Sequence, residues 1–282
     1  MSTAERRDAV RFLASKGVSV QRGCELLHLQ RATFDYKARP AAEDGLLAEL
    51  EAIAQVNPRY GYRRAWALVR RKRTVNRKRV HRLWKRAKLQ VKHVKRPRKP
   101  RERPPPLCAL YPNHVWAYDF VQDQDMHGRT FYILTVMDEF TREGLAIAVA
   151  DATSAEWVIA VLSEVVALHG APENLRSDNG AEFVALAVQA WLARRQIRTL
   201  YIDPGCPWQN GKEERFNGTV RDECLNLHFF ASLAEARVRL EAFRHHYNTD
   251  RPHSRLDYTT PAAFRKAWEQ AQVQQRDSLI ST

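Results

Sequence analysis

At Val115 the apolar residues of this chain switch from a helical to a strand period, and that switch limits the fold to two unlike halves. Upstream, Leu46, Leu47, Leu50, Ile53 and Ala54 recur at helical spacing. Tyr60-Gly61-Tyr62 opens a second helix with Trp66 and Val69, and a third around Asn76–Lys88 buries Val80, Leu83 and Trp84. Downstream, Val115–Val121, Thr130–Asp138 and Glu143–Ala150 read as three strands, the first two joined by a turn at Asp125–Arg129. Between the halves, Val91–Pro106 is too rich in Pro, Lys and Arg to bury anything and reads as a linker able to track a DNA backbone.

Beyond the strands, Thr153-Ser154-Ala155-Glu156 has capping-box form and opens a helix that ends at His169-Gly170. A strand at Asn174–Arg176, a helix at Glu182–Arg194, a strand at Ile197–Ile202 and a helix at Asn210–Leu225 follow. Asp203–Gln209, with two prolines and a glycine, reads as a mobile active-site loop. A second capping box, Ser232 to Glu235, opens a helix whose stripe of Leu233, Ala236, Leu240, Phe243 and Tyr247 belongs in a core; from Gln270 the chain is expected to fray. Three strands, helix, strand, helix, strand, helix is the order of a ribonuclease H-like α/β fold with a mixed five-stranded sheet.

Residues 4–38 read as three short helices, the second and third spaced as a helix-turn-helix around His28-Leu29-Gln30, with Arg31, Thr33, Tyr36 and Lys37 outward on the candidate recognition helix. On the helix around Asn76–Lys88, Arg77, Lys78, Arg82 and Lys85 point away from the apolar side and are candidates for phosphate contact. The expected organisation is therefore a helix-turn-helix over 1–40, a second helical DNA-binding module over 41–90, a basic linker over 91–112, a catalytic core with C-terminal helices over 113–270, and a tail over 271–282.

Charge supports a nucleic-acid partner. Arg59–Arg103 holds 21 Lys and Arg against one acid, Glu102, leaving 25 basic and 31 acidic residues elsewhere, so all the excess positive charge lies in one segment. No apolar run approaches the roughly 18 residues of a membrane span and no secretory signal follows Met1, so a cytoplasmic, nucleoid-associated protein without membrane contact is expected. Cys24, Cys108, Cys206 and Cys224 form no C-x-x-C pair, which argues against a zinc knuckle or a disulfide framework.

An acid inside a strand as apolar as Val115–Val121 is costly unless paired or metal-bound, which singles out Asp119. Asp178, in Ser177-Asp178-Asn179-Gly180, follows the strand expected beside it. Glu214 lies on a helix face with Asn210, Asn217, Gly218 and Arg221, whereas Glu213 lies nearer Phe216 and Val220, which should pack. Arg221 is placed to contact a DNA phosphate. Three converging carboxylates suit two magnesium ions about 4 Å apart, one activating an attacking oxygen and the other stabilising a leaving one. His81, His93, His114, His127, His169, His245 and His246 lack metal-ligand company.

At these residues the sequence resembles a DDE transposase of the retroviral-integrase superfamily, and more narrowly the second reading-frame product of the bacterial IS-three insertion-sequence family. The resemblance rests on Tyr60-Gly61-Tyr62-Arg63-Arg64, Trp116-Ala117-Tyr118-Asp119-Phe120, Ser177-Asp178-Asn179-Gly180, Pro204-Gly205-Cys206-Pro207-Trp208-Gln209-Asn210-Gly211, Glu214-Arg215-Phe216, and Tyr247-Asn248 with Arg251-Pro252-His253. The 35 residues between Asp178 and Glu214 match the superfamily spacing, and Arg221 stands seven after the glutamate, where the family carries Lys or Arg. The resemblance implies catalysis and metal binding by Asp119, Asp178 and Glu214 with two Mg2+ ions, Mn2+ substituting. It further implies cleavage at the ends of a mobile element and attack of the freed 3′-OH on another strand, without ATP or a covalent enzyme intermediate. The implied partners are double-stranded DNA, as terminal inverted repeats and as target, other copies of the chain in a homo-oligomer on DNA, and an upstream-frame product, separate or fused. Two alternatives stand beside this reading: a DNA-binding regulator derived from a transposase, with vestigial carboxylates, and a ribonuclease H type nuclease without strand transfer.

Overall fold

The computed structural model describes residues 1–36, 45–91, 107–177, 185–202 and 210–280. Asp178, Lys37, the linker over 92–106 and the loop over 203–209 lie outside them. The chain divides into two compact units, Met1–Leu46 and Leu47–Thr282.

The first unit holds α1 (Thr3–Ser15), α2 (Val20–Leu26) and α3 (Arg31–Asp35) around Val10, Cys24 and Leu29, with Phe34 packed against them. Helix α1 begins at Thr3, because Ser2 and Glu5 form a reciprocal capping box: Ser2 Oγ accepts from Glu5 N–H (3.3 Å) and Glu5 Oε2 accepts from Ser2 N–H (2.7 Å). His28 takes the left-handed conformation (φ 47°) at the break where a glycine is common. Helix α3 stops at Asp35, so Tyr36, expected on the recognition helix, is instead its extended C-cap residue.

In the second unit, α4 (Leu46–Val56), α5 (Tyr62–Arg70) and α6 (Arg77–Arg86) precede the sheet. Asn76 caps α6 by accepting from Lys78 N–H (2.8 Å); Val80 and Trp84 are buried, and Leu83, expected with them, is half-buried. This helical layer is tied to the C-terminal helices by Arg59–Asp222 and Arg64–Glu223 ion pairs (2.5 and 3.0 Å), by Arg71 donating to the Asp250 carbonyl (2.9 Å) and by Trp66 set edge-on to Tyr258.

Five strands, β1 (Val115–Gln124), β2 (Thr130–Asp138), β3 (Gly144–Ala150), β4 (Asn174–Ser177) and β5 (Arg198–Tyr201), lie in the order β3-β2-β1-β4-β5. The first three are antiparallel, while β4 runs parallel to β1 and β5 parallel to β4. Strand β1 extends three residues beyond the expected Val121, because β2 continues to pair with it as far as Gln124 opposite Thr130. Helices α7 (Ala155–His169) and α8 (Leu186–Arg194) cover one face; α9 (Glu213–Glu223) and α10 (Leu233–Thr249) cover the other. The cap of α7 is Ser154, accepting from Trp157 N–H (3.2 Å), one residue after the expected Thr153. Instead of fraying at Gln270, α11 (Pro261–Ile280) continues through a run of Ala, Gln and Arg that favours helix.

Strand alternation fixes which residues meet which layer. Ala117 and Val121 of β1, with Ile133 and Met137 of β2, pack toward Phe216, Val220 and the Leu240–Tyr247 stripe. Trp116 and Tyr118, with Leu134 and Val136, pack toward Val158, Leu162 and Leu192. Asp119 therefore shares its face with Ala117 and Val121, beneath α9. Gly144 is required at the head of β3, since a Cβ there would stand 2.7 Å from the Phe216 ring. Asn248 accepts from Gly144 N–H and donates to its carbonyl, both at 2.9 Å, which gives the Tyr247-Asn248 motif a scaffolding role.

Candidate active site

Asp119 is half-buried and directly opposite Thr135 across the β1–β2 ladder. Its Oδ1 accepts from Phe120 N–H (2.7 Å) and its Oδ2 from the Asn217 side-chain amide on α9 (2.9 Å). Two N–H donors aimed at one carboxylate fix its orientation.

Helix α9 brings two adjacent glutamates to the same corner in different environments. Glu213 is fully buried with Phe216 and Val220, and its Oε1 lies 2.7 Å from Thr135 Oγ1. The same hydroxyl contacts Asn217 Oδ1 (2.8 Å) and the Asp119 carbonyl (3.1 Å). Burial pushes the Glu213 carboxyl well above the usual range, and the charges of Asp119 and Glu139 push it the same way. A hydroxyl has one proton, so it cannot donate to three acceptors. A protonated Glu213 donating to Thr135 Oγ1 eases that conflict, leaving the hydroxyl proton to the nearer Asn217 Oδ1, with the Asp119 carbonyl as the longer contact. Glu214, one residue on, is exposed, and its side chain makes no hydrogen bond or ion pair among the described residues. Sequence reasoning does not single out Thr135, and it places Glu213 on the packing side and Asn217 on the polar face of the helix without a role for either; the polar Thr135 inside the apolar β2 run is the available signal.

A second buried network joins the ends of the elements involved. Glu139, 1% exposed at its side chain, pairs with Arg176 on β4 (3.1 Å) and with Lys212 at the start of α9 (2.6 Å). Arg176 also donates to the Leu107 carbonyl (2.8 Å). The network thus links the residues just before Asp178 to those just before Glu214. Among the described residues no group of three His, Cys, Asp or Glu could hold a metal ion.

The candidate DNA-contact residues belong to both units. Arg77, Lys78, Arg82 and Lys85 are all exposed on α6, with the Arg77 guanidinium 5.9 Å from the Trp66 ring. Arg31 is exposed and paired with Asp35 (2.9 Å), Thr33 is half-buried with its carbonyl accepting from Arg7, and Tyr36 is exposed beneath the Arg7 guanidinium. Arg221 is exposed and donates to the Gln122 carbonyl (2.9 Å), bracing α9 against β1.

Comparison with known proteins places this geometry. Two models described as integrase core domains match residues 110–207 and 195–261, and one described as an HTH-like domain matches 41–98. The 31.7 kDa protein of insertion element IS407 from Burkholderia multivorans is 40% identical over 88% of this chain and 90% of its own length. The 39.2 kDa protein of insertion element IS476 from Xanthomonas euvesicatoria is 39% identical over 94% and 78%. A putative transposase for insertion sequence IS150 from Escherichia coli is 26% identical over 84% and 90%. Among solved structures, the simian T-cell lymphotropic virus intasome in complex with a PP2A regulatory subunit aligns over 77% of this chain and 74% of the matched chain, with TM-score 0.50 and 17% identity, a likeness of fold. No helix among the described residues is long and apolar enough to cross a membrane.

Proposed function

The chain belongs to the transposases of the IS-three insertion-sequence family, with an integrase core and an HTH-like module, and from that premise we propose that it cuts DNA at the ends of its element and joins the freed 3′-OH to target DNA. The observation that carries this reading is the 2.9 Å hydrogen bond from Asn217 to Asp119. It docks the second turn of α9 on the middle of β1, and Glu214 stands about one turn ahead of Asn217 on that helix. Asp119, Asp178 and Glu214 would hold the metal ions.

The donor set fits magnesium. Asp119 is an oriented, half-buried carboxylate, Glu214 a solvent-facing one, and an all-oxygen set suits Mg2+ or Mn2+ over zinc. Bound there, two such ions would activate the attacking oxygen and neutralise charge on the leaving one. The protein's own part is positioning. Asn217 and the Phe120 amide hold Asp119 in one orientation, Thr135 and Glu213 hold Asn217, and Glu139 ties the approaches to Asp178 and Glu214 together. The exposed cations of α6 supply a sequence-independent grip on phosphates, and the active form is a homo-oligomer on paired element ends, with or without an upstream-frame partner.

The test is Mg2+-dependent nicking and joining of a labelled terminal-repeat duplex by the full chain. Asp178→Asn and Glu214→Gln abolish both steps while DNA is still retained. Cleavage by either purified variant at the wild-type rate overturns the assignment.

A further inference from the structure

The Arg251-Pro252-His253 motif scaffolds a cavity that the proposed reaction does not use. Arg251 is buried and makes two bonds to Glu223 (2.7 and 2.8 Å), and His253 Nε2 donates to the Tyr247 carbonyl (3.1 Å). The cavity, of about 260 Å3, lies along the Lys212, Arg215 and Thr219 edge of α9, which the helical period turns away from Glu214 and Arg221.

Six cationic side chains line it, Arg64, Arg142, Lys212, Arg215, Arg251 and Arg255, and no carboxylate does. Arg64 and Arg251 share Glu223 as their ion-pair partner, and Lys212 shares Glu139 with Arg176. The side chains of Arg142, Arg215 and Arg255 make no ion pair or hydrogen bond among the described residues. Arg142 is the most confined of the three. It sits half-buried at φ 65° in the β2–β3 turn, between buried Thr141 and Glu143. Burial, with Arg255 and Arg215 nearby, pushes its pKa down. Glu139 opposes that shift but already serves Arg176 and Lys212. A half-buried guanidinium with like charges for neighbours lacks a counter-anion.

A second cavity, of about 610 Å3, shares Arg64, Thr219 and Ser254 with the first and leads past Arg63 to His81 on α6. Together the two cavities form one groove lined by eight cationic side chains against two carboxylates, Asp222 and Glu223, which pair with Arg59 and Arg64 in the second cavity; the excess positive charge along it suits a chain of phosphates better than one small anion. We propose that Arg142, Arg215 and Arg255 bind a backbone phosphate of a DNA strand, at a site separate from Asp119 and Glu214 and reached along this groove past His81 of α6. The identity of the anion rests on the reading of the protein as a DNA transposase.

The experiment is a salt series of duplex binding by the full chain, followed by fluorescence anisotropy. Each phosphate contact contributes about 0.9 to the slope of log K against log salt. Arg142→Gln/Arg255→Gln makes the slope shallower by about 0.9, whereas the equal charge change Lys266→Gln/Arg276→Gln, at exposed positions on α11, leaves it as in wild type. Arg255→Gln alone, on an exposed side chain, shifts the slope in the same direction and keeps the test open if Arg142→Gln does not fold. Wild-type binding with a double variant indistinguishable from the control overturns this site alone. Absence of DNA binding by the wild-type chain overturns the functional reading and this site with it. Stabilisation of wild type by inorganic phosphate over chloride at equal ionic strength, with the slope unaltered in the double variant, assigns the cavity to a free anion and also overturns the proposal.

Discussion

Asn217→Ala isolates the contact on which the proposed site depends. The substitution removes the 2.9 Å amide donor from Asp119 Oδ2 and the acceptor 2.8 Å from Thr135 Oγ1, but leaves the buried Phe216 and Val220 in place, so α9 stays docked. A hydrogen bond to a charged group contributes about 1.5–3 kcal/mol. If Asp119 must be held in that orientation for the metal ions to be placed, the loss appears in the chemical step, at about 1.4 kcal/mol per tenfold. The expected fall is about 10- to 150-fold in single-turnover cleavage of a labelled duplex at saturating Mg2+. Melting temperature and duplex affinity should stay near wild type. Asn217→Asp should fall further, because it sets a second carboxylate against Asp119 in place of a donor. A cleavage rate for Asn217→Ala within twofold of wild type, with the protein folded and DNA-bound, would falsify the claim that this hydrogen bond organises the site.

Three further outcomes follow from neighbouring features. Glu213→Gln keeps the neutral, buried hydrogen bond to Thr135 and retains cleavage, whereas Glu214→Gln loses it; the reverse pattern in the same assay would move the metal-ligand role to Glu213. Neutralising Arg77, Lys78 and Arg82 together weakens duplex binding and makes its salt slope shallower by up to about 2.7; an unchanged slope would remove α6 from the DNA surface. Burial beside Arg251 holds the His253 imidazole down to about 3, against an ordinary 6.5, so the native state binds fewer protons there than the unfolded chain does. The neutral ring's contribution is therefore fully present above pH 6.5 and is lost as pH falls toward 3, by at most about 5 kcal/mol. Urea unfolding across that window should show a steeper pH dependence for wild type than for His253→Gln, and parallel curves would refute the assignment.

Much of this arrangement is legible in the sequence because two periods carry it. Alternation along Val115–Val121 sets Asp119 on the face of Ala117 and Val121, and helical spacing sets Ala236, Leu240, Phe243 and Tyr247 on one stripe; both faces are buried where the periods put them. Local periods carry no information about register. That Thr135 stands opposite Asp119 depends on how the Asp125–Arg129 turn aligns two strands, and a slip of one residue would have turned Thr135 to the other face. Charge reads no better locally. Arg142 and Arg255 are 113 positions apart and look like ordinary solvated arginines until the fold brings them to one cavity.

The adjacent Glu213 and Glu214 show how far a period can decide chemistry. A helix turns about 100° per residue, so neighbouring carboxylates cannot share one environment. Glu213, on the Phe216 and Val220 side, goes into the core, where its burial and the charge of Asp119 favour the protonated form, suited to a hydrogen bond with Thr135. Glu214 keeps its solvent access and remains available to a cation. Exchanging the roles would require a charged ligand in the buried position, with only Thr135 to solvate it, and would leave the solvent-facing position to a residue with no partner to hold. The proposed division of labour therefore follows from which carboxylate the helix buries, and Asn217, one turn along, fixes that rotation by reaching Asp119.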